Sequence, residues 1–203
     1  MERAWYIGRH NQPKWGAEIY PRALGPFLRA ATPDRLELIV GSWGLIPPRA
    51  KTPTLTYSTN NCRSEEAAEK PTFRDAWRKG QRCIIPVVSF DEPNWETGKN
   101  IWWRFRRADG LPWGLAGLWS TWIDQRTGEI VESYTMLTVN ADEHPLMSRM
   151  HKPDLKAPAD HQDKRSVVAI ERADAEQWLT GTVADAQPLI KAPDMGLIAA
   201  GPV

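Results

Sequence analysis

The sequence contains only two cysteines, Cys62 and Cys83, among its 203 residues. Two thiols cannot form a framework of several disulfides or a site in which several thiolates hold a metal ion. The histidines and cysteines also lack the spacing of zinc ligands, so we expect neither a metal nor a cofactor. This cysteine content is typical of a protein in the reducing cytoplasm.

Long apolar runs and an excess of one charge are missing as well. The first fifteen residues mix Arg, His, Lys and Trp and contain no apolar segment of a signal peptide. No uncharged stretch approaches the length that a membrane span needs. The 26 basic and 25 acidic residues leave a formal net charge of +1, so overall charge does not indicate nucleic acid. We expect a soluble cytoplasmic protein in which any anion-binding surface comes from local clusters.

Tryptophan is abundant, with eleven residues. Its side chain fills hydrophobic cores and also offers a flat surface on which unpaired bases stack. We expect most of the tryptophans in predicted strands to be structural; these are Trp102, Trp103, Trp113, Trp119 and Trp122.

Short apolar runs separated by turn signals recur along the chain. Strands are predicted at 17–20, 36–45, 82–90, 134–139 and 167–170, and a hairpin pattern joins 100–107 to 115–123 across the turn at 108–110. Short helices are predicted at 64–70, 72–79 and 173–179. This order favours one α+β domain over residues 1–203, built mainly from an antiparallel sheet or partly closed barrel with a few short helices.

Four polar clusters interrupt the apolar runs: Asn60-Asn61-Cys62-Arg63, Asp91-Glu92, the pair of His144 and His151, and Lys164-Arg165. A carboxylate at the end of a buried strand tends to have a raised pKa, which suits general acid–base catalysis. A nearby histidine would complete a proton relay, and arginines would neutralise phosphates. From residue types alone, two such acidic residues more often only open a solvated loop.

Five motifs in fixed order resemble those of the SOS-response-associated peptidase (SRAP) family. Its motifs WGLIP, NARxE, RCLIPADGFYE and FAGLW, and its strand before the active-site histidine, are similar to Trp43-Gly44-Leu45-Ile46-Pro47, Asn61-Cys62-Arg63-Ser64-Glu65, Arg82-Cys83-Ile84-Ile85-Pro86 with Phe90-Asp91-Glu92, Gly114-Leu115-Ala116-Gly117-Leu118-Trp119, and residues 135–140. Two further segments, Glu92-Pro93-Asn94-Trp95 and His144-Pro145-Leu146-Met147, are similar to those of a phage-associated branch of the family.

The resemblance implies an SRAP-like fold and a role in the DNA-damage response, acting as a monomer on single-stranded DNA. In this family, self-processing exposes an N-terminal Cys whose α-amine forms a Schiff base with the aldehyde of an abasic site, and whose thiol then closes a thiazolidine ring. An α-amine titrates near pH 8, so part of it is neutral and nucleophilic in the cell. Carried over to this sequence, Asn61 would orient the sugar or the nucleophile, Glu92 would be the acid–base group and Arg63 would hold a phosphate.

The active-site histidine has more than one possible assignment. We assign it to His151, which treats residues 152–164 as a loop insertion and keeps Arg165-Ser166-Val167-Val168 as the following strand. A gapless comparison would instead place Met147 there and lose the histidine, and His144 is the second candidate.

The resemblance also implies a set of DNA-contacting residues. A faint match of residues 8–13 to the family's GRYNxAP adds Pro13 to this set. Arg49 stands where a base-stacking Trp is common, which exchanges stacking for a positive charge. The residues expected to bind DNA are Pro13, Trp43, Arg63, Arg149 and Arg165.

The sequence departs from the family at its start, where Met1-Glu2 replaces Met-Cys. The position of the 8–13 match leads us to expect that an opening segment is absent from this sequence. Cys62 and Cys83 have no free α-amine and cannot form a thiazolidine. The alternative is a degenerate, non-catalytic protein that binds single-stranded DNA; a peptidase acting on other proteins is a weaker third hypothesis.

Overall fold

The computed structural model describes residue 11, residues 13–33 and residues 35–203. The start at Met1-Glu2 and most of the 8–13 motif therefore lie outside the described residues. None of the helices in the described part is long and apolar enough to cross a membrane. The strands described are β1 (Leu24–Thr32), β2 (Arg35–Trp43), β3 (Asn61–Arg63), β4 (Arg82–Val87), β5 (Phe90–Asn94), β6 (Ile101–Arg107), β7 (Trp113–Ile123), β8 (Ile130–Asn140), β9 (Arg165–Val167) and β10 (Ile198–Pro202). The α-helices are α1 (Arg74–Arg78), α2 (Ala175–Thr180) and α3 (Val183–Ala186), and single 3₁₀ turns occur at Ser64–Glu66, Met147–Arg149, Arg172–Asp174, Gln187–Leu189 and Met195–Leu197.

Five strands form a closed barrel in the order β2-β1-β4-β7-β8. Neighbouring strands are antiparallel, and a short parallel pairing of β2 with β8, through Ser42 with Ser133, closes the ring. Strand β3 joins β8 in parallel and β9 joins it antiparallel. The predicted class, mainly antiparallel α+β with a barrel and few short helices, is confirmed.

The barrel strands are buried on both faces. Ile84 of β4 belongs to a cluster that includes Trp77 of α1, whereas its neighbours Cys83 and Ile85 belong to a second cluster with Trp113. A strand buried on both faces is apolar at successive positions and does not alternate. This explains why residues 83–85 form a continuous apolar run in the sequence.

A second sheet has the order β10-β6-β5, and it corrects one prediction. The predicted hairpin of 100–107 with 115–123 is wrong, because β6 pairs with β5 and β10 whereas β7 pairs with β4 and β8. The chain does turn at Gly110, whose φ is +75°. A turn signal specifies a reversal but no pairing partner, and residues 108–112 carry the chain from one sheet to the other.

Other local predictions have mixed outcomes. The predicted strand at 17–20 is wrong, since those residues are irregular and the first strand among the described residues is Leu24–Thr32. The helix at 72–79 is confirmed as Arg74–Arg78, whereas 64–70 contains only a 3₁₀ turn. Of the tryptophans predicted to be structural, Trp113 and Trp122 are buried, while Trp102 is 52% exposed.

Gly41 allows close contact where the barrel closes. A Cβ atom at this position would lie 2.7 Å from the backbone oxygen of Glu132. We expect Gly41→Ala to lower the free energy of unfolding by about 1–3 kcal/mol, because the two backbones must separate. Gly201→Ala is the matched control, since a Cβ atom at that position would have no heavy atom within 4 Å. Urea denaturation of both variants tests this, and equal midpoints would contradict it.

Candidate active site

Glu92 lies in the middle of β5, not in a loop after the buried strand. It pairs with Trp103 of β6, and its side chain is 16% exposed. Its Oε2 atom is 3.5 Å from Nε2 of His151. Burial raises the pKa of Glu92 to about 8, and the charge of Asp91 adds to the shift. The carboxyl is therefore mostly protonated at neutral pH and can act as a general acid.

His151 is positioned through its backbone. Its φ is +61°, a left-handed conformation that a non-glycine residue keeps only with support from its surroundings. Its N–H donates to the Pro93 carbonyl at 2.6 Å, which attaches it to β5. Burial lowers the pKa of the imidazole, the charge of Lys164 acts in the same direction, and a hydrogen bond with the Arg165 backbone opposes both. The ring is therefore mainly neutral at pH 7 and can accept a proton.

Lys164 is a buried cation beside this histidine, only 7% exposed. Its Nζ donates to the carbonyl of Met150 at 2.8 Å and to that of His151 at 2.7 Å. Its backbone N–H donates to Oδ1 of Asp142 at 2.7 Å. Burial lowers the pKa of the ammonium group, and the Asp142 charge opposes this shift. These contacts hold the left-handed turn at His151.

Arg63 and Arg165 lie on β3 and β9, which both pair with the C-terminal end of β8. Their side chains meet at one carboxylate. Nη2 of Arg63 is 2.5 Å from Oδ2 of Asp163, and Nη1 of Arg165 is 2.9 Å from Oδ1. Asp163 directly precedes Lys164, so the two arginines lie next to the segment that holds the histidine.

Asn61 begins β3, and its side chain is exposed. The preceding carbonyl, of Asn60, accepts hydrogen bonds from Nε1 of Trp43 at 2.8 Å and from the backbone N–H of Met136 at 2.9 Å. Trp43 is partly buried against the barrel. Its ring therefore anchors the start of β3, which sets the position of Asn61.

Arg149 lies on the exposed rim beside the second sheet. It forms a two-point ion pair with Glu96, with Nε–Oε1 at 2.7 Å and Nη2–Oε2 at 2.9 Å. This pair lowers the pKa of Glu96 to about 2. The Arg149 guanidinium also lies 5.2 Å from the ring centroid of Trp103. Pro13, the fifth residue of the predicted DNA-binding set, is exposed in the segment before β1.

His144 uses both ring nitrogens within the fold. Nδ1 accepts from the backbone N–H groups of Leu146 at 3.2 Å and Met147 at 3.0 Å, and Nε2 lies 2.9 Å from the Pro193 carbonyl. These contacts cap the 3₁₀ turn at Met147–Arg149. The contact with Glu92 is made by His151.

The two free cysteines are both buried. Burial raises the pKa of Cys62 to about 12 and that of Cys83 well above its usual value. Thiols with such pKa values are protonated at neutral pH and are poor nucleophiles.

The structure thus brings Glu92 and His151 into direct contact and gathers Arg63 and Arg165 around Asp163. Sequence reasoning did not assign roles to Lys164 and Asp163. Both lie in a charged run that is typical of a solvated turn, and nothing in the sequence indicates that one of its lysines is buried. In the part of the chain that is described, no group of three or more His, Cys, Asp or Glu side chains could hold a metal ion.

Comparison with known proteins decides the family. Residues 5–203 match the family model described as SOS response associated peptidase (SRAP). The chain belongs to the SRAP family.

Named relatives match part of the chain. It is 36% identical over 110 residues to the abasic site processing protein YobE of Bacillus subtilis, covering 54% of this chain and 48% of that protein. The chain is 34% identical over 110 residues to the abasic site processing protein YoqW of Bacillus phage SPbeta, and the match covers 54% of this chain and 47% of that protein. The chain is 29% identical over 139 residues to the abasic site processing protein HMCES of Xenopus tropicalis, and the match covers 59% of this chain and 42% of that protein. The matches therefore span about half the length of these relatives.

Solved structures share the fold over most of the chain. A crystal structure of a protein from Bordetella bronchiseptica has a TM-score of 0.85 and 37% identity, covering 98% of this chain and 92% of the other. A crystal structure from Bacteroides thetaiotaomicron has a TM-score of 0.72 and 24% identity, covering 90% and 74%, and supports the fold alone.

Proposed function

We propose that this protein binds single-stranded DNA and forms a covalent thiazolidine crosslink at abasic sites. The observation that carries the proposal is the contact between Glu92 and His151, in a family whose named relatives are abasic site processing proteins. A carboxyl that stays protonated near neutral pH, beside a neutral imidazole, suits chemistry in which water must leave.

The proposed reaction requires a proton at a defined step. An α-amine adds to C1′ of the ring-opened abasic sugar and gives a carbinolamine. Glu92 protonates the hydroxyl on C1′, which leaves as water, and the nitrogen lone pair forms the imine as a proton passes from nitrogen to solvent. A thiol then adds its sulfur to C1′ and its proton to the nitrogen, which closes the ring. His151, as a neutral base, takes up a proton from solvent and passes it to the Glu92 carboxylate, which restores the acid form.

The nucleophile must be a Cys with a free α-amine. The cysteines among the described residues are internal and buried, so neither meets this requirement. The acid–base pair would also serve the self-processing that exposes such a Cys.

DNA binding in this proposal depends on the arginines around the site. Arg63 and Arg165 would contact phosphates, and the exposed Asn61 side chain would orient the sugar or the amine. Arg149, which lies next to the Trp103 ring, would contact neighbouring nucleotides. Trp43 and Pro13 would do the same. We propose a monomer as the active form, because one chain carries all of these DNA-contacting groups, and we propose that it acts in the cytoplasm.

The test is denaturing electrophoresis after mixing the protein, expressed from its gene, with single-stranded DNA that carries one abasic site. We expect a band that resists denaturation, and we expect it to be weaker for Asn61→Ala and His151→Asn. Mass spectrometry of the DNA-linked peptide identifies the nucleophile. Undamaged DNA of the same sequence is the control substrate.

Two results would contradict the proposal. Equal crosslinking by the parent and both variants would refute the assigned roles. Salt-sensitive binding with no crosslink and no preference for the abasic strand would instead support the non-catalytic DNA-binding alternative.

A further inference from the structure

The carboxylate of Asp163 lies between the two arginines that the proposed function assigns to phosphate. Its two oxygens are shared between them, Oδ2 with Arg63 and Oδ1 with Arg165. A DNA phosphodiester also presents two oxygens that share one negative charge. Both anions cannot occupy the space between the same two guanidinium groups, so the DNA and Asp163 compete for it.

The exposure of these groups makes the carboxylate replaceable. The Asp163 side chain is 44% exposed and that of Arg63 is 52% exposed, and ion pairs so open to water contribute little to stability. Arg165 is different, because it is 16% exposed and its Nη2 also donates to Glu65 at 2.7 Å and to the Thr138 carbonyl at 3.0 Å. Arg165 therefore stays in place when Asp163 leaves.

The backbone of Asp163 is held independently of its side chain. Its N–H donates to Oδ2 of Asp142 at 3.1 Å, and the next N–H, of Lys164, donates to Oδ1 at 2.7 Å. The φ of Asp163 is +51°, a conformation that Asp and Asn tolerate better than most residues. The carboxylate can therefore rotate away from the arginines while the backbone beside the active site stays fixed.

We propose that Asp163 is a built-in competitor for DNA phosphate at the Arg63–Arg165 site and sets the affinity for the strand. This inference rests on the proposed function. The competing carboxylate weakens binding of any single strand, so retention on DNA depends more strongly on the covalent step at an abasic site.

The test compares Asp163→Asn with Asp160→Asn. Both variants lose one negative charge from the same loop, and Asn keeps the left-handed backbone at 163 accessible. Asp160 is 79% exposed, and its carboxylate contacts the equally exposed His161. Fluorescence anisotropy with a labelled, undamaged single strand measures affinity at several salt concentrations.

We expect Asp163→Asn to bind about three- to tenfold more tightly than Asp160→Asn, in line with the small free energy of an exposed ion pair. The slope of the logarithm of the binding constant against the logarithm of the salt concentration should become steeper, by roughly the amount that one additional phosphate contact contributes. Adding Arg63→Gln to Asp163→Asn should remove the gain.

Equal affinities of the two single variants would overturn the inference, because only overall charge would then matter. Weaker binding by Asp163→Asn would also overturn it and would show that the carboxylate aligns the arginines for DNA. Failure of the parent protein to bind any single strand at low salt would refute the proposed function itself, and this inference with it.

Discussion

Replacing Glu92 with Gln should slow crosslinking to abasic DNA at neutral pH by about 10²-fold or more, which is the usual contribution of a positioned general acid. Gln fills the same space and keeps a hydrogen-bond donor, but it cannot release a proton to the leaving hydroxyl. In the parent protein the rate should pass through a maximum near pH 8, because the α-amine becomes neutral and nucleophilic as pH rises to this value and the acid form of Glu92 is lost above it. Denaturing gels of single-turnover reactions at several pH values measure both the slower crosslinking of Glu92→Gln and the pH dependence of the parent's rate.

The same substitution should stabilise the fold in alkaline solution. The unfolded chain releases the Glu92 proton at the ordinary carboxyl pKa, whereas the folded protein keeps it up to about pH 8. Between these two values the folded state binds more protons, so its stability falls as pH rises, by an amount on the order of a few kcal/mol. Gln carries no charge and avoids this loss. Thermal melting at about pH 4 and about pH 9 should show the parent and Glu92→Gln nearly equal in acid, and Glu92→Gln more stable in alkali.

Glu129→Gln is the matched control, since Glu129 is exposed in the turn between β7 and β8. It should leave both the rate and the pH dependence of melting unchanged. A Glu92→Gln variant that crosslinks at the parent rate, or that is no more stable in alkali, would show that this carboxyl is ionised and not the acid.

Lys164→Met should lower the free energy of unfolding by about 2–4 kcal/mol, because the carbonyls of Met150 and His151 lose their shared donor and each unsatisfied buried group costs about 1–3 kcal/mol. It should also reduce crosslinking at temperatures where the variant is fully folded. The left-handed turn at His151 then relaxes, and the imidazole moves away from Glu92.

A second readout separates positioning from general stability. Without Lys164 near the ring, we expect the pH dependence of crosslinking to change, since its charge contributes to the lowered pKa of His151. Lys164→Arg restores cationic donors and should recover part of the activity. Lys156→Met, at an exposed position in the same loop, should change neither property. A folded Lys164→Met protein with the parent rate and pH profile would contradict this positioning role.

The order of the motifs was sufficient to predict the family, the fold class and the contact partners Glu92 and His151. Such motifs are local, and they preserve residue types that the chemistry needs. The strands β4, β7 and β8 were also predictable, because short apolar runs bounded by turn residues indicate buried strands whatever their partners.

What the sequence by itself determined was therefore the family, the candidate site residues and the mainly antiparallel class. Only the tertiary structure decided the sheet to which each strand belongs, since a turn at Gly110 reverses the chain without selecting a partner for β6 or β7. Only the tertiary structure buried Lys164 beside His151 and brought Asp163 between Arg63 and Arg165. Burial and charge pairing depend on segments that are distant in the chain, and a charged run in the sequence has the same pattern whether it faces water or an active site.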